Sequence, residues 1–251
     1  MNHVIFYGNH NKEIDINIVI DLDETIIHCI QTDNETYYNE LIKMENCVLT
    51  FVLDNINHVV FIRPYLFNFL SNLMNKYNIY ISTYAHEDYA KCIINYIICV
   101  MPNLKICGIH YRIANELTYM DKKTLKVFEL SEHNTIIIDD RYEVWDILYH
   151  NNIINIKKYL GPHDMMNVND NHLVLIEKYI NNIYEKYIVK NINVNAISEY
   201  NMYYNMYYNA LFNHNFFINS ETKMIDMDLI NINEIEDELN NKLENMFFHI
   251  K

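Results

Sequence analysis

A short apolar run, Ile16 to Ile20, stops abruptly in Asp21-Leu22-Asp23-Glu24-Thr25. A continuous β-branched run of this length reads as a strand buried on both faces, as in a parallel sheet. A half-buried strand would alternate instead. A buried strand ending in Asp-x-Asp puts both acids at the carboxyl edge of its sheet, where open α/β folds build their sites. Two carboxylates held together are unfavourable unless a cation, or a proton shared with a substrate, relieves them.

Other segments extend the same architecture. Residues 31–46 read as polar loop, and 47–53 and 58–62 as strands of a small sheet inserted after the first strand. Pro64 stands where a helix begins, its missing N–H harmless there. Leu66, Phe67, Leu70, Leu73, Met74 and Tyr77 then recur at helical spacing. Residues 78–82 read as a second core strand and 86–100 as a helix. A short strand and loops are expected over 105–120, and a helix over 123–131. Thr135 to Ile138 is a third core strand ending in Asp139-Asp140. A helix begins within 141–149, a fourth strand covers 152–156, and 171–188 is an amphipathic helix. Strands alternating with helices of this size imply an α/β fold with a parallel sheet and right-handed crossovers. From about residue 190 the text changes. Ile235, Leu239, Leu243, Met246 and Phe247 mark a last amphipathic helix in a C-terminal helical extension, 189–251.

Bulk properties narrow the function. The 251 residues are 51% apolar, enough for a full core rather than disorder. No apolar run is long enough to span a bilayer, and Met1 to Lys12 lack the pattern of a secretory signal. The five cysteines form no Cys-x-x-Cys pair, so reduced intracellular thiols are expected, in nucleus or cytoplasm, rather than a disulfide framework or a zinc site. A formal net charge of −14 argues against direct nucleic-acid binding. It is compatible with a basic protein substrate, although solubility explains it equally well.

The polar ends of the core strands form an ordered set. The first strand ends in Asp21, Asp23 and Thr25, the second in Ser82-Thr83, and the third in Asp139-Asp140-Arg141. Lys122-Lys123 precede the third strand, with Lys126 a competitor for the same role. Phosphoryl transfer needs this kit. One carboxylate attacks phosphorus and a second acid manages the leaving-group proton. A metal and a lysine neutralise developing charge. Hard Mg²⁺ prefers carboxylate and carbonyl oxygens with water.

These residues also carry a resemblance. Asp21-Leu22-Asp23-Glu24-Thr25-Ile26-Ile27-His28 is similar to the opening motif of the RNA polymerase II C-terminal-domain phosphatase family, a branch of the haloacid dehalogenase superfamily. Arg63-Pro64 with Phe67, Phe69 and Leu70 resembles its Arg-Pro helix start. Ser82-Thr83-Tyr84-Ala85 with Tyr89-Ala90 resembles its second motif. Lys123 lies sixteen residues before Asp139, as the family's catalytic lysine does. Ile138-Asp139-Asp140-Arg141 with Trp145 resembles its fourth motif, in the form found in the TFIIF-associating subgroup. The segment Asn169 to Leu173 and the helix after it resemble the closing helix. The likeness covers about residues 14–188.

The resemblance implies a haloacid-dehalogenase-like Rossmannoid sheet with helices on both faces and a small inserted sheet, 31–62. It implies a Mg²⁺-dependent phosphoprotein serine/threonine phosphatase working through an aspartyl-phosphate. Asp21 would be the nucleophile and Asp23 the acid and base. Thr25 and Thr83 would bond the site carboxylates and phosphoryl oxygens, and Lys123 would steady the charge. Asp21, the backbone carbonyl of Asp23 and Asp140 would hold Mg²⁺, with Asp139 beside them. Arg63 and Arg141 are candidates for substrate contacts or for structural ion pairs. The substrate would be a phosphorylated polymerase tail. If the chain is a protist protein, or comes from a large DNA virus of insects as its AT-rich composition suggests, it would be a basic DNA-packaging protein. A phosphatase-fold scaffold, as in the mitochondrial inner-membrane import receptor, is the alternative.

Overall fold

The computed structural model describes residues 4–5, 16–44, 47–112, 122–161 and 170–190. The chain divides into two compact units, 1–205 and 206–251, and every described residue lies in the first. The expected C-terminal extension, including its last amphipathic helix, lies outside the described residues.

A six-stranded sheet forms the body, in the order β1-β7-β6-β2-β8-β9. Its central strand is β2 (Asn17–Ile20), buried at every position. On either side lie β6 (Asn78–His86) and β8 (Thr135–Asp139), both parallel to it, with Ile20 opposite both Ile81 and Ile138. β7 (Ile106–Arg112) and β9 (Ile153–Asn155) continue the parallel array on the two sides. The edge strand β1 (Val4–Ile5) runs antiparallel to β7 and was not foreseen from sequence. The four expected core strands are therefore present, in parallel, with β2 in the middle.

Side chains of neighbouring strands in register share a face. Val19, Tyr80 and Ile137 lie on one face, where they join Leu125, Phe128, Trp145 and Tyr149 in one cluster. The helices expected over 123–131 and from 141 are here short 3₁₀ turns, Leu125–Phe128, Tyr142–Val144 and Ile147–Asn152. The reason is visible in the backbone. Lys123 N–H donates to Val144 O, and Asp146 N–H donates to Lys123 O. Pairing these two segments spends the groups that a regular helix would use internally.

The small inserted sheet is antiparallel, ordered β3-β5-β4: β3 (Ile27–Thr32), β4 (Cys47–Leu53) and β5 (Ile56–Ile62). β3 and the helix α1 (Glu35–Leu41) occupy part of the expected polar loop. α1 buries only Leu41 and is capped by Asn34, whose side chain accepts from Tyr37 N–H. It therefore offers no apolar stripe to read in sequence. α2 (Leu66–Leu73) starts two residues after Pro64 and buries Leu66, Phe69, Leu70 and Leu73. α3 (Glu87–Val100) follows β6 directly. α4 (His172–Lys190) packs beside α2, with Tyr77 Oη donating to Ile180 O at 2.9 Å.

Candidate active site

Three parallel strands end together at one edge, and the polar residues just beyond them form the site. β2 delivers Asp21, whose N–H donates to Ile138 O of β8 at 3.0 Å, locking the two strand ends side by side. The chain then turns through Glu24, which has a left-handed φ of 63°, and enters β3. That turn sets Asp23 and Thr25 beside Asp21. β8 delivers Asp139 and, one residue on, Asp140.

Lys123 binds the acids together. Its Nζ donates to Asp21 Oδ1 at 2.7 Å and to Asp139 Oδ2 at 2.7 Å, and it is 1% exposed. The ring centroids of Tyr84 and Trp145 lie 5.3 and 5.5 Å from the ammonium. Of the competing lysines, Lys122 and Lys126 are exposed, and Lys122 Nζ bonds Glu143 O on the surface. Of the three lysines, Lys123 is the one that the structure brings to the acids.

Both oxygens of Asp139 are hydrogen-bonded. Oδ2 also accepts from Trp145 Nε1 at 2.8 Å, and Oδ1 accepts from Arg141 N–H at 2.9 Å. Trp145 is thus a polar partner of the site as well as the core anchor that its size suggests. Thr25 Oγ1 donates to Asp140 Oδ1 at 3.0 Å and accepts from Asp140 N–H at 3.0 Å, fixing Asp140 to the Asp-x-Asp turn. Thr83 is buried at the end of β6, where its Oγ1 accepts from Ala85 N–H at 3.0 Å. Its hydroxyl proton is left to donate. Arg141 is exposed at the rim of the site.

Arg63 sits elsewhere. Its guanidinium is fully buried, and Nε donates to both oxygens of Asp170 at 3.1 and 3.0 Å. Nη1 donates to Thr25 O and Nη2 to Lys157 O, each at 2.8 Å. Of its two expected roles, this placement is that of a structural ion pair. It ties the Asp-x-Asp turn to the start of α4. Sequence reasoning missed Asp170 as its partner, although a buried arginine requires an acid.

The electrostatics describe an acidic cluster short of positive charge. Burial pushes the Asp21 carboxyl up to about 8, against the pull of Lys123, with Asp139 adding to the rise. Burial likewise raises Asp140 to about 6 and raises Asp23. Burial alone would lower the Lys123 ammonium, but Asp21 and Asp139 outweigh it and hold it above its usual range. A single lysine therefore leaves the carboxylates under-compensated. Asp21, Asp139 and Asp140 each offer an oxygen, and these lie within 4.8 Å of one another. An all-oxygen donor set with excess negative charge fits a hard divalent cation such as Mg²⁺.

Asp23 faces outward into a groove of about 670 Å³ between the small sheet and α3, bordered also by Asp54, His58, Glu87 and Tyr89.

Comparison with known proteins shows the family and the fold. Residues 16–190 match the model of the NLI interacting factor-like phosphatase family. In an alignment of 200 positions that covers 69% of its length, the chain is 26% identical to an RNA polymerase II C-terminal domain phosphatase of Caenorhabditis elegans. Over 144 residues, 57% of its length, it is 29% identical to the protein of the same name from Encephalitozoon cuniculi (strain GB-M1). The aligned segments span 28% and 31% of those two relatives, less than a third of each. Among solved structures, the RNA polymerase II CTD phosphatase Fcp1 superposes with a TM-score of 0.54 at 20% identity. That match covers 70% of this chain and 63% of the other, and it establishes the shared fold.

Proposed function

We propose that this chain, which belongs to the NLI interacting factor-like phosphatase family, is a Mg²⁺-dependent phosphatase of phosphoserine and phosphothreonine in proteins. The observation that carries the reading is the Lys123 ammonium clamped between Asp21 and Asp139, with Asp140 in the same cluster and Asp23 open to the groove.

The reaction follows from which groups are held and which are open. Lys123 holds Asp21 Oδ1, so Oδ2 is the atom that attacks phosphorus. As the phosphorus–serine oxygen bond breaks, its electron pair goes to the serine oxygen, which takes a proton from Asp23. Asp23, now a carboxylate, removes a proton from a water that attacks the phosphorus of the aspartyl-phosphate. The bond to Asp21 breaks, phosphate leaves, and both acids return to their starting states. Lys123 and the Thr83 hydroxyl stabilise charge on the phosphoryl oxygens, and Thr25 fixes Asp140. Mg²⁺ held by Asp21, the Asp23 carbonyl and Asp140, with Asp139 beside them, would supply Lewis-acid neutralisation of that charge. Arg141 at the rim contacts the substrate.

Two phosphoproteins are consistent with this reading. The names of the relatives support a polymerase tail. The net charge of −14 and the acids Asp54, Glu87 and Asp88 along the groove support a basic protein. Rates on a phosphorylated Arg-rich peptide and on a polymerase-tail peptide separate them. On the analogy with those relatives, we place the protein in nucleus or cytoplasm.

The test is hydrolysis of 4-nitrophenyl phosphate at mildly acidic pH, with Mg²⁺ and with chelator, by the native chain and by Asp21→Asn. Activity that needs both Mg²⁺ and Asp21 supports the proposal. Mg²⁺ binding without turnover, in a well-folded native chain, would move the protein to the scaffold alternative.

A further inference from the structure

The general acid has a partner that the reaction above does not use. Tyr89, in the first turn of α3, donates its hydroxyl to Asp23 Oδ1. Tyr89 is 7% exposed, and its ring is held by the inserted sheet rather than by its own helix. Phe51 of β4 and His58 of β5 are cross-strand neighbours, and their rings stack 4.9 Å apart at 8°. Tyr89 meets both, with centroids at 5.9 Å from Phe51 and 5.8 Å from His58. The stack itself is anchored, because His58 Nδ1 lies 3.0 Å from Ile56 O.

We propose that Tyr89 is the positioning residue of the general acid, holding Asp23 by Oδ1 so that Oδ2 carries the proton to the leaving oxygen. This rests on the phosphatase reading and adds to it a role for the inserted sheet. A protonated carboxyl has one hydroxyl oxygen and one carbonyl oxygen, and a phenol donor selects the second for itself. When Asp23 gives up its proton, the same hydrogen bond becomes charge-assisted and strengthens as the leaving group departs. A phenol keeps its proton at neutral pH, so Tyr89 remains a donor throughout.

The experiment is a leaving-group series of aryl phosphates from 4-nitrophenyl to 4-methoxyphenyl. It measures kcat/KM for the native chain, Tyr89→Phe, Asp23→Asn and the double variant. Phenylalanine keeps the ring and its packing, and a melting curve checks that it does. A nitrophenolate leaves without a proton, whereas a methoxyphenolate needs one. Loss of a hydrogen bond to a charged group corresponds to about tenfold in rate. Tyr89→Phe is therefore expected to lose about tenfold on the methoxyphenyl ester and less than about twofold on the nitrophenyl ester. In the Asp23→Asn background it should add nothing. An equal loss across the series, or full additivity with Asp23→Asn, would show that Tyr89 only packs. In either case Asp21-dependent turnover by the native chain would still stand. A native chain that turns over no ester overturns both this inference and the reading beneath it.

Discussion

Replacing Arg63 with methionine removes a guanidinium from a closed site and leaves Asp170 without its charge partner. Asp170 is 2% exposed, and among the described residues its remaining polar contacts come from His172, through the backbone N–H at 3.1 Å and Nδ1 at 2.9 Å. Breaking a buried pair from one side costs about 3–5 kcal/mol. A second route gives a compatible figure. Burial pushes the Asp170 carboxyl up, but His172 and Arg63 outweigh it and hold it at about 2, below its ordinary 3.8. That difference corresponds to roughly 2–3 kcal/mol of preference for the charged form, of which Arg63 supplies part. For a domain of this size the thermal midpoint should fall by about 10 °C. The sign of the pH dependence follows from the depressed value. The stabilisation is fully present above pH 3.8 and is lost as pH falls through about 2, so the gap between native and variant narrows over that window. Circular dichroism melts at neutral and acidic pH measure it. Because Arg63 lies away from the groove, KM of the folded variant should match the native value. An unchanged midpoint with a raised KM would refute the structural assignment and return Arg63 to the substrate contacts.

Three further outcomes are expected. Lys123→Met should lower kcat/KM by at least about a hundredfold, since the ammonium bonded to Asp21 is gone. Lys122→Ala should leave it unchanged, and steady-state kinetics that rank the two lysines otherwise would contradict the geometry. Trp145→Phe deletes the indole donor to Asp139 Oδ2 and should destabilise the fold by about 1.5–3 kcal/mol, read in a denaturant titration. Raised carboxyls at about 8 for Asp21 and about 6 for Asp140 mean that the metal-free fold binds protons the unfolded chain would release. Metal-free stability should therefore fall as pH rises from about 4 to about 8. Added Mg²⁺ should raise the melting midpoint more at pH 8 than at pH 5, and an equal shift at both would argue against these carboxylates as ligands.

Much of this structure could be read in advance because the central strands combine two signals. β2 and β8 are short β-branched runs that end directly in acids, so one pattern locates both the sheet and its functional edge. Lys123 could be chosen from its spacing to Asp139, while the backbone pairing with Trp145 that fixes its position could not be read in advance. β3 was hidden because its far end, Gln31 and Thr32, is polar and pairs with His58 and Asn57 through backbone alone. The 3₁₀ turn that ends at Phe128 looked helical because Leu125 and Phe128 are buried against the sheet, whereas in the turns that follow Asp140 Tyr149 is the one buried apolar residue and Tyr142, Ile147 and Leu148 are exposed. Val144 O and Asp146 N–H pair with the backbone of Lys123 instead of continuing a helix. In the sequence Tyr89 entered as part of the second-motif resemblance. Its hydroxyl points to Asp23 only because the inserted sheet grips its ring, a long-range contact that no local pattern carries.

The central claim is that Asp21 carries the phosphoryl group, and trapping tests it directly. Native protein is mixed with 4-nitrophenyl phosphate and Mg²⁺, quenched, and treated with borohydride, which reduces an acyl phosphate. Peptide mass spectrometry then reads residue 21. The account predicts homoserine at position 21 in the native chain, and none when substrate is withheld. Turnover with residue 21 left as aspartate and another side chain reduced would contradict it.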